Sequence, residues 1–503
     1  YERLGERYAN YFIDEFQDTS VLQWKNLLPL IENAISDGLK PGSVMVVGDA
    51  KQAIYRWRGG EVNQFIGLQQ LAQNASPVDP YRIVKLSLEN NYRSSAEIVN
   101  FNNKLFSSIA HLIEDEKYQT LFKEINARHV KGSGGYVSLE YIQNDEEHDE
   151  TQKKRCLNTI RDLIVEGFLY GDICVLTRTK AKGALIVKML SDENIPVVSS
   201  ESLLLVQSAE VRFLLHFLRF LNDPHHPKFR FRLIEFLFEC SFCPWPKNEL
   251  NSKLNFLCKT SVDGFCDFLR GLVGDFEITS WRSVSLIELC HKIIKAFRLN
   301  ETGRIYMQFL LNEVWVYSNK HTPDLSGFLN FWDEQGHKLS VAIPEGVNAV
   351  QVMTIHKSKG LEFPVVLFPF ANWNATTEQD AKLWVDVNEP ELSGLPTSLI
   401  PLGKLLESST PELQNIYKQH KSDVLLDNLN MLYVALTRPK TRLYIYTSQK
   451  GQGKNLSLFF DTFLKHTGDW RDGKTKYTFG EKLVKPPSVP NKNHKIPLAQ
   501  PIN

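Results

Sequence analysis

Short β-rich runs alternate with amphipathic stretches at residues 10–85 and again at 135–222 of this chain, and nothing else in it restricts the fold as much. The runs YFID, SVMVVGD, GGYVSLEYI, GDICVLT and IPVVSS are brief, rich in β-branched or aromatic residues, and bounded by Gly, Asp or Pro. Strands of a parallel sheet covered by helices have this pattern, so the class expected is α/β. From 224 to 345 the texture changes to longer apolar-periodic segments, among them FRLIEFLFEC, SLIELCHKIIKAF and IYMQFLLNEVWVYSNK, punctuated by Pro, Gly and Asn. These predict a mostly helical insert. Strand-like runs return at NAVQVMTI, FPVVLFPF and RLYIYTS, so the interrupted α/β domain resumes at 346 and continues to 460. The stretch 461–503 is rich in Lys, Pro and Asn and reads as a linker. A single core rarely serves more than about 250–300 residues, so 503 residues imply two or three domains.

Composition narrows the chemistry only a little. No apolar run comes near the ~18–20 residues that a bilayer crossing requires. Lys plus Arg equal Asp plus Glu at 58 each, so any nucleic-acid contact must come from local grooves and not from net charge. The seven cysteines, Cys156, Cys174, Cys240, Cys243, Cys258, Cys266 and Cys290, are odd in number and irregular in spacing. That suits reduced thiols and a cytoplasmic location. Cys240 and Cys243 alone form a CxxC; with no second pair they read as core cysteines and not as zinc ligands. The chain opens at Tyr1 without the basic start or apolar middle of a secretion signal, and is expected to begin inside a domain.

The sharpest local signal is YFIDEFQDTS, an apolar strand running straight into Asp14, Glu15, Gln17 and Asp18. At the carboxyl end of a strand in an open parallel sheet, such residues line the ligand crevice. Two adjacent carboxylates there can divide labour, Asp14 holding Mg²⁺ through water and Glu15 deprotonating a water in phosphoryl transfer. For a bare Asp-Glu pair an ordinary acidic helix cap is the simpler reading. A second strand, SVMVVGD, opens into GDAKQAIYRWRGG. Gln52 is a neutral donor and acceptor able to read a γ-phosphate. Tyr55 and Trp57 offer flat faces for bases of a single strand, flanked by Arg56 and Arg58. Taken alone, this segment is equally an aromatic core patch edged by solvated arginines.

Together, DEFQDTS and GDAKQAIYRWRGG resemble motifs II and III of the UvrD/Rep superfamily 1 DNA helicases, in order and spacing. The remaining motifs can then be matched. LSLENNYRSS at 86–95 resembles motif IV, with Arg93 at the arginine that reaches the γ-phosphate across the domain cleft. VMTIHKSKGLEF at 352–363 resembles motif V, which implies nucleotide contacts from Gly360 and Glu362, the latter to the ribose, and DNA contacts from His356, Lys357 and Ser358. LYVALTRPK at 432–440 resembles motif VI, with Arg438 as a second arginine finger. The implied DNA-binding residues are therefore Tyr55, Trp57, Arg58, His356, Lys357 and Ser358, and the implied catalytic set is Asp14, Glu15, Gln52, Arg93 and Arg438. Five motifs in order make coincidence negligible. In motif VI, Asp427 and Asn430 stand where the family usually shows Glu and Arg, which puts a structural ion pair there in question.

The resemblance implies the C-terminal part of a first RecA-like motor domain at 1–85, and a second motor domain at 86–223 and 346–460. It also implies ATP and Mg²⁺ as cofactors, 3′-to-5′ translocation on DNA, and work in DNA repair and recombination. Within the family the chain is most similar to the RecB/AddA helicase-nuclease branch. That branch implies processing of double-strand ends and an AddB/RecC-like partner subunit. No nuclease acid and lysine cluster is found before Asn503.

A motor of this kind needs a phosphate loop, G-x-x-x-x-G-K-[ST], upstream of the Asp-Glu pair. Only thirteen residues precede Asp14. A formal match, GDWRDGKT at 468–475, follows the helical LFFDTFLKHT and leads into the strand-like KYTFG, so it reads as a turn. This chain alone is therefore expected to bind ATP weakly and to show no DNA-stimulated turnover. The alternative reading is an ATPase-dead DNA-binding scaffold subunit of a helicase-nuclease complex.

Overall fold

The structure is a computed structural model. It describes residues 8–36, 42–74, 84–123, 125–130, 133–143, 148–199, 204–240, 242–243, 245–246, 249–299, 304–322, 324–339, 348–375, 382–386, 396–448 and 455–482. Thirteen strands occur among them. These are β1 (Asn10–Ile13), β2 (Ser43–Val46), β3 (Asn90–Asn91), β4 (Arg128–His129), β5 (Gly135–Ile142), β6 (Ile173–Thr177), β7 (Val197–Ser199) and β8 (Val350–Thr354). The remainder are β9 (Phe363–Phe368), β10 (Lys382–Asp386), β11 (Thr397–Pro401), β12 (Pro439–Ser448) and β13 (Lys476–Glu481). The chain divides into two compact units, Tyr1–Val197 with Asn348–Asn503, and Val198–Val347.

The first unit is built on a seven-stranded sheet of order β13-β5-β12-β9-β6-β8-β7. Strands β5, β12, β9, β6 and β8 run parallel, while β13 lies antiparallel to β5. Both faces are covered, as a parallel sheet requires. On one face Val137, Leu139, Cys174, Leu176, Val366, Leu443 and Ile445 join a core that also takes Phe101, Leu105, Phe459 and Phe463 from helices Ala96–Ile109 and Ser457–His466. On the other, Ile173, Val175, Val365, Leu367, Tyr444 and Tyr446 pack with Cys156, Ile160, Ile186 and Leu190 of helices His148–Val165 and Lys180–Asp192. Alternate residues of one strand thus enter different cores, the period-two geometry of a strand buried on both sides. Each such Val, Leu or Ile contributes roughly 1.5–3 kcal/mol by leaving water. A parallel pair, β1 with β2, packs into the same unit and brings the 14–18 and 47–58 segments with it.

The second unit is helical, with an aromatic core of Phe213, Phe217, Phe220, Phe236, Phe265, Phe276, Trp281, Phe297, Phe328 and Trp332. It begins at Val198, not at 224 as the change of texture suggested. Helix Ala209–Asn222 accounts for the difference. Its buried Phe213, Leu214, Phe217, Leu218 and Leu221 recur at three- and four-residue spacing, and that stripe packs in one core with Leu233, Leu237 and Ile293 of the insert.

A second correction concerns the chain beyond 460. Residue 461 falls inside helix Ser457–His466, and Lys476–Glu481 is the edge strand β13, with Tyr477 buried opposite Leu139. The expected linker therefore supplies part of the sheet; residues 483–503 lie outside the described residues. Among the described residues no helix is long and apolar enough to cross a membrane.

Candidate nucleotide and nucleic-acid site

Asp14 and Glu15 follow β1 directly and are exposed at its carboxyl end. The turn is held by Phe16 N donating to Val47 O at 3.0 Å and Val47 N to Ile13 O at 2.8 Å, so the ends of β1 and β2 are laced together. Glu15 has φ 52°, a left-handed backbone that costs a non-glycine residue of order 1–3 kcal/mol. The buried Gln17 supports it. Gln17 Nε2 donates to Glu15 Oε2 at 2.6 Å, while Gln17 Oε1 accepts from Asp49 N at 3.0 Å. Gly48 is required beside it, because a Cβ there would stand 2.6 Å from Gln17 Oε1.

Asp49 then organises the segment after β2. Its carboxylate accepts from Lys51 N and from Gln52 Nε2, both at 3.1 Å, and pairs with Lys51 Nζ at 2.7 Å. Burial opposes its charge, yet Lys51 and Gln52 hold it below the usual carboxylate range. Gln52 is thereby aimed so that its Oε1 meets Arg438 Nη2 at 3.4 Å.

Arg438 leaves helix Pro411–Leu436 at its C-terminal end and is only 1% exposed. Its Nε donates to Val434 O at 2.9 Å and its Nη1 to Leu361 O at 3.2 Å; among the described residues it pairs with no carboxylate. Burial first, and then the nearby Arg93 charge, pull this guanidinium down to about 10. Arg93 donates from Nε to Glu362 Oε2 at 3.1 Å and from Nη1 to Thr437 O at 3.3 Å. The Arg93 backbone is fixed too. Asn91 Oδ1 accepts from Arg93 N and Ser94 N, both at 3.0 Å, and Ser94 Oγ donates to Pro439 O at 2.7 Å. Two arginines gathered beside Gln52, one of them buried without a carboxylate, form a place prepared for an anion. Glu362 is engaged with Arg93 and with Lys440 at 2.5 Å, first the Lys440 hydrogen bond holding it below the usual range. In this structure it is a counter-ion of Arg93. Gly360 has φ +79°, a backbone that favours glycine.

The expected DNA-contacting residues gather on one surface. Trp57 is 67% exposed; the His356 ring lies 6.3 Å from it and 5.9 Å from Tyr55, and Tyr55 Oη donates to His356 O at 3.0 Å. The Arg58 guanidinium sits 4.8 Å from the Trp57 ring centre, so the stack is partly assembled in protein. Burial, then Arg178, holds the His356 imidazole below its usual range, so it is neutral at pH 7. Lys357 is exposed. Ser358 differs from expectation: it is buried and its Oγ donates to Ile355 O at 2.8 Å, which places it inside the turn. Arg56 also turns away from this surface, pairing with Asp423 at 2.9 Å and Asp427 at 3.0 Å. Asp427 therefore does take part in an ion pair, with Arg56. Four- and three-residue spacing puts Asp423, Asp427 and Asn430 on one helix face, and Asn430 Nδ2 caps the carbonyls of Ala53 at 2.9 Å and Ala50 at 3.3 Å.

Lys359 is a site residue the sequence did not single out. Its Nζ contacts a carboxylate oxygen of Asp18, Glu15 Oε2 at 3.2 Å and Gln52 O at 2.9 Å. The available signal was its place before Gly360 in HKSKG. The 468–475 match to a phosphate loop is a turn between helix Ser457–His466 and β13, with Lys474 Nζ 4.8 Å from the Tyr477 ring centre.

The mostly parallel seven-stranded sheet, with the separate β1–β2 pair carrying the acids at its strand end, is consistent with RecA-like domains. Residues 1–73 match the UvrD/REP helicase N-terminal domain, and residues 86–241 and 317–450 match the UvrD-like helicase C-terminal domain. The chain belongs to the UvrD-like helicase family. It is 25% identical to one of the ATP-dependent helicase/nuclease subunits of Geobacillus thermodenitrificans, over 90% of this chain and 40% of that one. It is 27% identical to the protein of the same name from Lactococcus lactis, over 91% of this chain and 42% of the relative. The exonuclease/helicase subunit RexA of Streptococcus pneumoniae is 26% identical over 88% of this chain and 40% of its own. The chain thus spans about two fifths of the length of these curated relatives.

Proposed function

We propose that this chain carries most of the motor of an ATP-dependent DNA helicase that translocates 3′ to 5′ and processes double-strand ends in repair and recombination. The observation that carries the reading is the run of contacts from Glu15 through Lys359 to Gln52 and on to Arg438, with Arg93 tied to the neighbouring Thr437, and with a buried arginine that has no carboxylate partner among the described residues. A phosphoryl transition state spreads negative charge over its equatorial oxygens, and arginines brought across a cleft offset that charge. In this reading Glu15 accepts the proton of the attacking water, Gln52 orients the γ-phosphate, and Glu362 exchanges Arg93 for the ribose when nucleotide enters. Asp14, an exposed carboxylate at the strand end, offers the hard oxygen donor that Mg²⁺ prefers. When bound, the ion supplies charge neutralisation for the phosphates.

Tyr55, Trp57, Arg58, His356 and Lys357 form the single-strand track, coming from both sides of the same cleft. Opening and closing the cleft then moves the strand. The relatives are named as single subunits of a helicase/nuclease, which supports an AddB/RecC-like partner for this chain. The scaffold reading is disfavoured by the retained arginine and glutamine geometry. These 503 residues contain no phosphate loop ahead of Asp14, so alone they should hydrolyse ATP poorly. The test is single-strand-stimulated ATP hydrolysis by a chain extended N-terminally to include such a loop. Stimulated turnover is expected; its absence refutes the reading.

A further inference from the structure

The Lys359 side chain is 7% exposed, and its ammonium crosses the cleft to three acceptors. These are Asp18, Glu15 Oε2 at 3.2 Å and the Gln52 carbonyl at 2.9 Å. An ammonium has three N–H donors, and three acceptors receive them. Burying a lone cation is costly unless it is surrounded in this way. The lysine comes from the turn after β8, whereas every acceptor comes from the segments after β1 and β2.

The consequence falls on Glu15. Gln17 Nε2 at 2.6 Å and Lys359 Nζ at 3.2 Å both contact Oε2, and among the described residues Oε1 receives no protein hydrogen bond. Two donors on one oxygen fix the carboxylate plane and leave the other oxygen to accept a proton. Gln17 belongs to the same loop as Glu15 and accompanies it in any domain movement. Lys359 is the donor that comes from a separate segment, the turn after β8.

We propose that Lys359 is a positioning residue for the general base, orienting Glu15 only when the cleft is closed and so tying hydrolysis to domain movement. This rests on the functional reading above. A merely structural tie across the cleft would instead alter stability and nucleotide affinity together.

The experiment uses the N-terminally extended chain and compares wild type, Lys359→Met and Lys359→Arg in steady-state ATP hydrolysis with saturating oligo(dT). Lys359→Met should lower kcat by about 30- to 100-fold, the scale of a displaced catalytic group, while KM for ATP changes by less than about threefold. Lys359→Arg should recover at least about tenfold of that loss, because a guanidinium can still reach carboxylates. A Met variant with kcat within about threefold of wild type overturns the proposal. So does a loss that appears equally in KM and is not rescued by Arg. If the Met variant lacks a cooperative unfolding transition, Lys359→Gln replaces it under the same criteria. An inactive wild-type chain instead refutes the functional reading, and this inference falls with it.

Discussion

In the proposed mechanism Arg438 carries the greatest share that one residue can carry. Its guanidinium is buried, aligned by four protein acceptors and left without a carboxylate among the described residues, so under the proposed mechanism a developing negative charge would meet it with no further reorganisation. Replacement by Ala in the extended chain should lower kcat by about 10³-fold, at the lower end for an arginine finger, measured by coupled ATPase assay. Trp57 sets the other expectation. Its ring is the most exposed of the aromatic faces in the proposed track, so Trp57→Ala should weaken oligo(dT) binding by about 1–3 kcal/mol in fluorescence anisotropy, across salt concentrations, since stacking is not an ionic contact. Arg438 was expected only from the resemblance of its segment to motif VI, and Trp57 from its aromatic face between two arginines. Sequence did not mark Lys359, whose partners lie more than 300 positions away, and it read Ser358 outward although the turn buries its hydroxyl. A lysine or a serine beside a glycine has no side-chain pattern that tells surface from interior.

At the level of elements, the class and the strands that lead into the acids were legible, because a period-two apolar run ending in Asp or Glu has few alternatives. The last strand was only half legible. KYTFG reads as a strand from its residues, but that it closes the edge of the main sheet depends on its pairing with β5, which no local signal encodes. Tyr477 fixes that edge, buried against Trp470 and Tyr141. Tyr477→Ala should cost about 3 kcal/mol in urea unfolding, and a value near zero would restore the linker reading. The start of the helical unit was misread for a related reason. Helix Ala209–Asn222 has a strong apolar stripe, and a stripe states that a helix is buried, not which neighbour buries it.

The whole molecule consists of two compact units, and they should respond differently to acid. In the helical unit His216 is drawn down to about 4, by burial first and then by Arg219, Arg232, Lys228 and Arg212, and its Nδ1 is enclosed without a hydrogen-bond partner. The unfolded chain takes up that proton near its usual 6.5, while the folded unit refuses it until about 4. Stability present above pH 6.5 is therefore lost progressively between pH 6.5 and 4. Thermal melts of the isolated chain should show this loss, and His216→Leu should flatten it. The unit that holds the proposed nucleotide site poses the larger question, because the proposed mechanism needs both of its arginines and its acids together. The direct measurement is ATP hydrolysis with and without single-stranded DNA, on the 503 residues alone and on the chain extended with a phosphate loop, each with and without Arg438→Ala. Stimulated turnover should appear only in the extended chain and disappear with Arg438→Ala. Robust stimulated turnover by the 503 residues alone, or an extended Arg438→Ala chain as fast as its parent, would contradict a nucleotide site shared across this cleft.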